Sequence, residues 1–175
     1  MSNYRRLRVL GGSYFFTVNL ANRRQKLLTQ NIDILRKGFR KVRKAHPFHI
    51  DAIVILPDHL HCIWTLSEGD DDYSMRWRQI KSAFSSELPG VEKRSDSRVK
   101  KRERGIWQRR FWEHLIRGDK EYARLVDYIH FNPVKHGHAE TPGAWPYSSF
   151  RKHVKMGIYP SNWIDDSCIK ELDYD

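Results

Sequence analysis

The chain has 175 residues, 39% hydrophobic and 13% aromatic, which is enough for one buried core and too little for two comfortable ones. Its 32 Lys and Arg against 21 Asp and Glu leave a formal charge of +11, an excess that favours a polyanionic partner, nucleic acid ahead of an acidic membrane surface. No run of about 18 apolar residues is present, the start Met1-Ser2-Asn3-Tyr4-Arg5-Arg6 lacks the apolar core of a secretory signal, and Cys62 and Cys168 alone make neither a disulfide framework nor a four-cysteine zinc site. The expectation is a soluble cytoplasmic protein with no membrane partner.

In chain order, residues 13–20 (Ser-Tyr-Phe-Phe-Thr-Val-Asn-Leu) follow Gly11-Gly12 and are rich in aromatic and β-branched types, which predicts a strand. Between 31 and 45, Ile32, Leu35, Phe39 and Val42 recur at helical spacing with basic residues between them. Residues 48–56 read as a strand, nearly all apolar from Ala52 onward and so central. Pro57-Asp58 turns the chain, and 59–66 is its hairpin partner. Glu68-Gly69-Asp70-Asp71-Asp72 lacks the ligand alternation of a calcium loop and reads as a solvated connection whose last Asp residues favour the next helix N-terminus. That helix spans 73–88, with Trp77, Ile80 and Phe84 on its buried face and Arg76, Arg78 and Lys81 off it. The Lys, Arg and Ser run over 91–105 predicts a segment that is flexible until a polyanion binds. A strand over 111–117 and a helix over 120–131 follow, the helix ending near Asn132 because Pro133 disfavours helical backbone before it. The tail, with Trp145-Pro146-Tyr147 and Tyr159-Pro160, reads as a loop-rich extension.

The order β-α-β-β-α-β-α predicts an α+β chain: a ferredoxin-like split βαβ arrangement, an antiparallel sheet with helices on one face and the other available to a ligand, plus a C-terminal helix. A single domain over 1–175 is expected, with a core at 1–140 and an extension at 141–175.

Chemistry concentrates in two places. In Pro57-Asp58-His59-Leu60-His61-Cys62-Ile63-Trp64 the strand period points His59 and His61 the same way, roughly 6–7 Å apart, where they can share one cation. The competing reading is two strand histidines facing solvent or a hydrogen-bonding partner. In Asp127-Tyr128-Ile129-His130-Phe131-Asn132 the four-residue spacing puts Tyr128 and Asn132 on one helix face. A helix-end Tyr is far more commonly packing than nucleophile, and Asn132 also suits a helix C-terminus.

These segments, with Ile106-Trp107-Gln108-Arg109-Arg110-Phe111-Trp112-Glu113-His114, Pro133-Val134-Lys135-His136-Gly137 and Trp145-Pro146-Tyr147-Ser148-Ser149-Phe150, closely resemble the REP-associated tyrosine transposases, bacterial relatives of the single-tyrosine HUH transposases. The resemblance runs from Tyr4 to Trp163; the basic segment 91–104 departs from it by its length. It implies that His59 and His61 hold a divalent metal, that Tyr128 is the nucleophile, and that Asn132 offers a further ligand. It also implies cleavage and rejoining of single-stranded DNA beside REP-type palindromic hairpins, through a 5′-phosphotyrosine and a free 3′-hydroxyl. The ligand set suits Mg2+ or Mn2+, with imidazole favouring Mn2+ and not excluding Zn2+. A monomer or homodimer, cytoplasmic and nucleoid-associated, is implied.

Arg5, Arg6, Arg23, Arg24, Arg109 and Arg110 are candidate phosphate contacts, each balanced against a plain solvated role. Asp58 and Glu113 read first as a turn Asp and a surface Glu, and second as partners that orient imidazoles. His114, His130 and His136 read as structural or phosphate-facing. The rival readings are a non-catalytic single-stranded nucleic-acid-binding module, which would place stacking aromatics on the open sheet face, a nuclease using metal-bound water, and a domesticated hairpin-binding protein.

Overall fold

The computed structural model describes residues 6–90 and 94–164. The aromatic run after Gly11-Gly12 forms β1 (Ser13–Asn19). A short helix, α1 (Leu27–Gln30), leads into α2 (Ile32–Ala45), where Leu35, Phe39 and Val42 are buried as their spacing requires. β2 (Phe48–Ile55) and β3 (His59–Leu66) form the hairpin around Pro57-Asp58. Asp72 caps α3 (Tyr73–Glu87), its carboxylate accepting from the Met75 amide at 3.0 Å. Then come α4 (Asp96–Lys100), β4 (Trp112–Leu115), α5 (Asp119–Lys135), a 3-10 turn at Pro142–Ala144 and α6 (Phe150–Lys155). The strands are antiparallel in the order β2-β3-β1-β4, the ferredoxin-like arrangement expected from the order of elements.

Strand alternation sorts the sheet into two faces. Tyr14, Phe16 and Val18 of β1 and Leu60, Cys62, Trp64 and Leu66 of β3 pack under α2 and α3, with the Trp64 and Trp77 rings stacked at 4.2 Å. On the other face Phe15, Ala52, Val54 and Ile63 meet Leu125, Val126, Tyr128 and Ile129 of α5. That face is therefore only partly open: α5 lies against β2 and β3.

Four local expectations need correction. β2 is an edge strand, not a central one. Its apolar character has another cause, because residues 147–149 run along its outer edge, where the Ile55 amide donates to the Tyr147 carbonyl and the Ser149 amide to the Ile53 carbonyl, each at 2.8 Å. Residues 147–149 thus close an edge that would otherwise template aggregation, and the tail around them carries short helical pieces as well as loop. Arg76 is buried, ion-paired to Asp70 and donating to the carbonyls of His46, Pro47 and Asp72.

The basic run is anchored where it is described: Arg104 donates to the carbonyls of Ser85, Leu88 and Pro89 at the end of α3. Residues 91–93 lie outside the described residues. Finally, α5 passes through Pro133 to Lys135. Burial of Ile129, His130, Asn132 and Pro133 overrides the local preference, and the helix stops instead at Gly137, whose φ of 67° allows the His138 amide to reach back to the Pro133 carbonyl at 2.8 Å.

Candidate active site

The site forms where α5 crosses β3. The β1–β3 register sets Thr17 beside His61 and Asn19 beside His59. Thr17 Oγ1 lies 2.9 Å from His61 Nδ1, and Asp58 Oδ1 lies 2.8 Å from His59 Nδ1. Arg23 ion-pairs with Asp58 and also reaches His59 Nδ1 and Asn19 Oδ1, each at 3.3 Å. Partial burial would raise the Asp58 pKa, but hydrogen bonds from His59 and Arg23 outweigh it and bring it down to about 2. Asp58 is therefore a fixed anion beside His59. Both imidazoles are buried, with ring centroids 5.0 Å apart. Holding each ring through Nδ1 turns Nε2 away from its anchor, the orientation that metal-ligating histidines adopt.

From above, α5 presents Tyr128, Asn132, Lys135 and His136, three or four residues apart and hence on one stripe. The Tyr128 ring sits 5.3 Å from that of His61 and 6.0 Å from that of Phe15. A little over two turns further on, the His136 ring sits 5.3 Å from that of His59. Asn132, between these two contacts on the helix, is fully buried, and its carboxamide oxygen and nitrogen make no hydrogen bond among the described residues. Lys135 Nζ donates to the Tyr128 hydroxyl at 3.4 Å.

Burying an amide without partners costs a few kcal/mol, so Asn132, one turn along α5 from Tyr128, offers a buried carboxamide in want of a ligand. The residues fit a divalent cation on that observation. Among the described residues no cluster of three or more His, Cys, Asp and Glu could hold a metal; a site here would combine two imidazoles with the amide.

The sequence candidates divide accordingly. His59, His61 and Tyr128 come together, and Asn132 lies one turn beyond Tyr128 on the same stripe of α5. Arg23 belongs to the same site, holding Asp58 and His59. Arg6 pairs with Glu113 at 2.7 Å and lies over the Phe111 ring; Glu113 is buried there and not on the surface. Arg109 pairs with Glu103, Arg24 and Arg110 stand exposed, and Arg5 lies outside the described residues. His114 bonds Glu121 and His130 bonds Ser149, not His59 or His61.

Thr17 and Lys135 are site residues that the motifs do not single out, and His136, expected to be structural or phosphate-facing, packs its ring against that of His59. The seven-residue step from Tyr128 to Lys135 was a readable signal; the Thr17 contact needed the strand register. Two clefts lie elsewhere: one of about 610 Å3 between α3 and residues 98–111, and one of about 400 Å3 beside Asp51, Tyr122 and Tyr159. Among the described residues no helix is long and apolar enough to cross a membrane.

No family model matches the chain. A REP-associated tyrosine transposase of Escherichia coli K12 is 49% identical over 166 residues, covering 95% of this chain and 93% of its own length. A Haemophilus influenzae protein of the same family name is 49% identical over 164 residues, 93% of each. The solved structure of a REP-associated tyrosine transposase bound to a REP hairpin superposes with a TM-score of 0.82 at 46% identity, over 99% of both chains. At this identity over nearly the full length, the chain belongs to the REP-associated tyrosine transposases.

Proposed function

We propose that this protein nicks and rejoins single-stranded DNA beside REP-type hairpins, with Tyr128 as nucleophile and His59, His61 and Asn132 as the ligands of Mg2+ or Mn2+. The carrying observation is the contact of the Tyr128 ring with that of His61, while Lys135 donates to its hydroxyl from the same helix. A divalent cation held there would polarise a phosphoryl oxygen and offset the charge of the transition state.

The chain's own residues do the rest. A phenol with an ordinary pKa near 10 is almost wholly protonated at neutral pH, so a charge that favours phenolate is needed before attack. Lys135 supplies it. Tyr128 Oη gives up its proton to solvent and forms a bond to phosphorus as the bond to the 3′ oxygen breaks, and the departing oxygen takes up a proton from solvent. The products are a 5′-phosphotyrosine and a free 3′-hydroxyl. Because the phosphodiester energy is retained, a 3′-hydroxyl of another strand reverses the step without external energy.

Nucleophile, histidine pair and amide all come from one chain, which supports a site that is complete in a monomer. The basic surface supplies phosphate contacts, and residues 1–175 act as one unit on DNA in the cytoplasm. The test is incubation with end-labelled hairpin-flanking single-stranded DNA and Mg2+ or Mn2+, followed by denaturing electrophoresis. A cut strand and a protein–DNA adduct, both lost in Tyr128→Phe, are expected. A Tyr128→Phe protein that still cuts would make a metal-bound water the nucleophile.

A further inference from the structure

The outer strand β4 carries an aromatic pair that nothing so far employs. The register aligns Trp112 with Thr17, and Thr17 with His61, in one row across the sheet. Two strand spacings separate Trp112 from His61, about 10 Å. Among the described residues Trp112 is the one aromatic counted with the exposed large hydrophobics, at 39% exposure. Its ring lies parallel to that of His114, 7° between planes and 5.6 Å between centroids. Phe15 backs the pair, 5.8 Å from Trp112 and within 6.0 Å of both His61 and Tyr128. The pair is also fixed from the helix side: His114 Nε2 is 2.7 Å from Glu121 Oε1 in the first turn of α5, and Glu121 Oε2 accepts from the Arg117 amide at 2.9 Å. α5 lies against β2 and β3, and on β4 Trp112 is exposed and the His114 side chain is 35% exposed.

We propose that Trp112 and His114 form a base-stacking platform that holds an unpaired nucleotide next to the phosphate attacked by Tyr128. The proposal rests on the nicking reading above. A flat, rigid aromatic surface beside a phosphate site suits a nucleobase, because every base has a π-face and stacking tolerates sequence. A base within a hairpin stem already has both faces covered by its neighbours, so the platform selects a nucleotide outside the stem. With both rings held in place before binding, little side-chain freedom is lost on stacking. The platform also adds the aromatic face expected of a binding module to the paired histidines expected of an enzyme.

The test uses 2-aminopurine placed in turn at the two nucleotides on each side of the scissile phosphate, in hairpin-flanking DNA bound to Tyr128→Phe protein so that the strand stays intact. Fluorescence should be quenched on binding at one of these positions. The quench should disappear in Tyr128→Phe/Trp112→Ala and persist in Tyr128→Phe/Trp112→Phe, which keeps a stacking ring. With Tyr128 intact, Trp112→Ala should raise KM roughly tenfold, the range of one lost base stack, with kcat little changed. Equal quench with and without the Trp112 ring, no quench at any position, or a wild-type KM in Trp112→Ala would overturn the platform. Failure of the Tyr128-intact protein to cut or form adduct would instead overturn the nicking reading, since the fluorescence signal does not depend on cleavage.

Discussion

Lys135 Nζ stands 3.4 Å from the Tyr128 hydroxyl, two helical turns along α5, and also lies 5.1 Å from the centre of the Tyr128 ring. The contact exists only because α5 runs through Pro133; a helix ending at Asn132 would release Lys135 from the stripe. A hydrogen bond to an ionised oxygen contributes about 1.5–3 kcal/mol, so Lys135→Met should slow single-turnover cleavage roughly 10- to 100-fold. Tyr128→Phe should abolish cleavage and adduct while leaving DNA binding intact. Gel assays of adduct formation against time separate the two, and a Lys135→Met protein at the wild-type rate would remove the lysine from the mechanism.

Thr17 makes a separate prediction. Its hydroxyl is the Nδ1 partner of His61, buried between β1 and β3. Thr17→Val keeps the shape and removes the hydrogen bond, so His61 loses the contact that sets its tautomer. Partners of this kind are worth about 10- to 100-fold in metal affinity or activity. The Mn2+ concentration needed for half-maximal cleavage should rise by that factor, with cleavage largely restored at saturating metal. His59→Ala and His61→Ala should remove cleavage at any Mn2+ concentration yet still bind hairpin DNA.

What could be read in advance followed from short-range periodicity. The two-residue period of a strand put His59 and His61 together, and the four-residue step of a helix did the same for Tyr128 and Asn132. The order of elements gave the split βαβ architecture. Contacts set by distant partners stayed hidden: Thr17 meets His61 only through the strand register, and β2 looks central because residues 147–149 cover its edge. Pro133 misled for a different reason. Its local preference is real, but burial of the surrounding turn outweighs it.

Arg76 is the stability counterpart of that lesson. It is 2% exposed and ion-paired to Asp70. The Arg76 hydrogen bond, against a smaller opposing effect of burial, holds Asp70 below the ordinary carboxylate value of 3.8. With the folded pKa below the unfolded one, the unfolded chain takes up the proton first as pH falls. The stabilisation is therefore fully present above 3.8 and is lost as pH drops through that value toward the folded pKa. Asp70→Asn leaves a buried guanidinium with carbonyl partners alone, at a cost on the order of 2 kcal/mol after allowing for the partial exposure of Asp70. Thermal denaturation at pH 7 should show a loss of about 4–8 °C. The gap between variant and wild type should narrow below pH 4; a constant gap down to pH 2 would deny the ion pair its role.

The arginines of the surface can be told apart by salt. Arg24 and Arg110 stand exposed, whereas Arg6 is tied to Glu113 and lies 4.0 Å from the Phe111 ring centre. An arginine that neutralises one phosphate of single-stranded DNA contributes about 0.7 to the slope of log affinity against log salt. Arg24→Ala and Arg110→Ala should each flatten the slope by about that amount if their side chains touch the backbone, with little change in melting temperature. Arg6→Ala should behave in the opposite way, because it removes the ion pair to the buried Glu113 carboxylate: melting temperature falls and the slope stays near the wild-type value. Fluorescence anisotropy of labelled hairpin-flanking DNA between 50 and 200 mM salt, the range over which such contacts lose most of their strength, measures the slopes directly. Slopes unchanged in both Arg24→Ala and Arg110→Ala would move the phosphate path off this edge of the sheet and toward the basic cleft between α3 and residues 98–111.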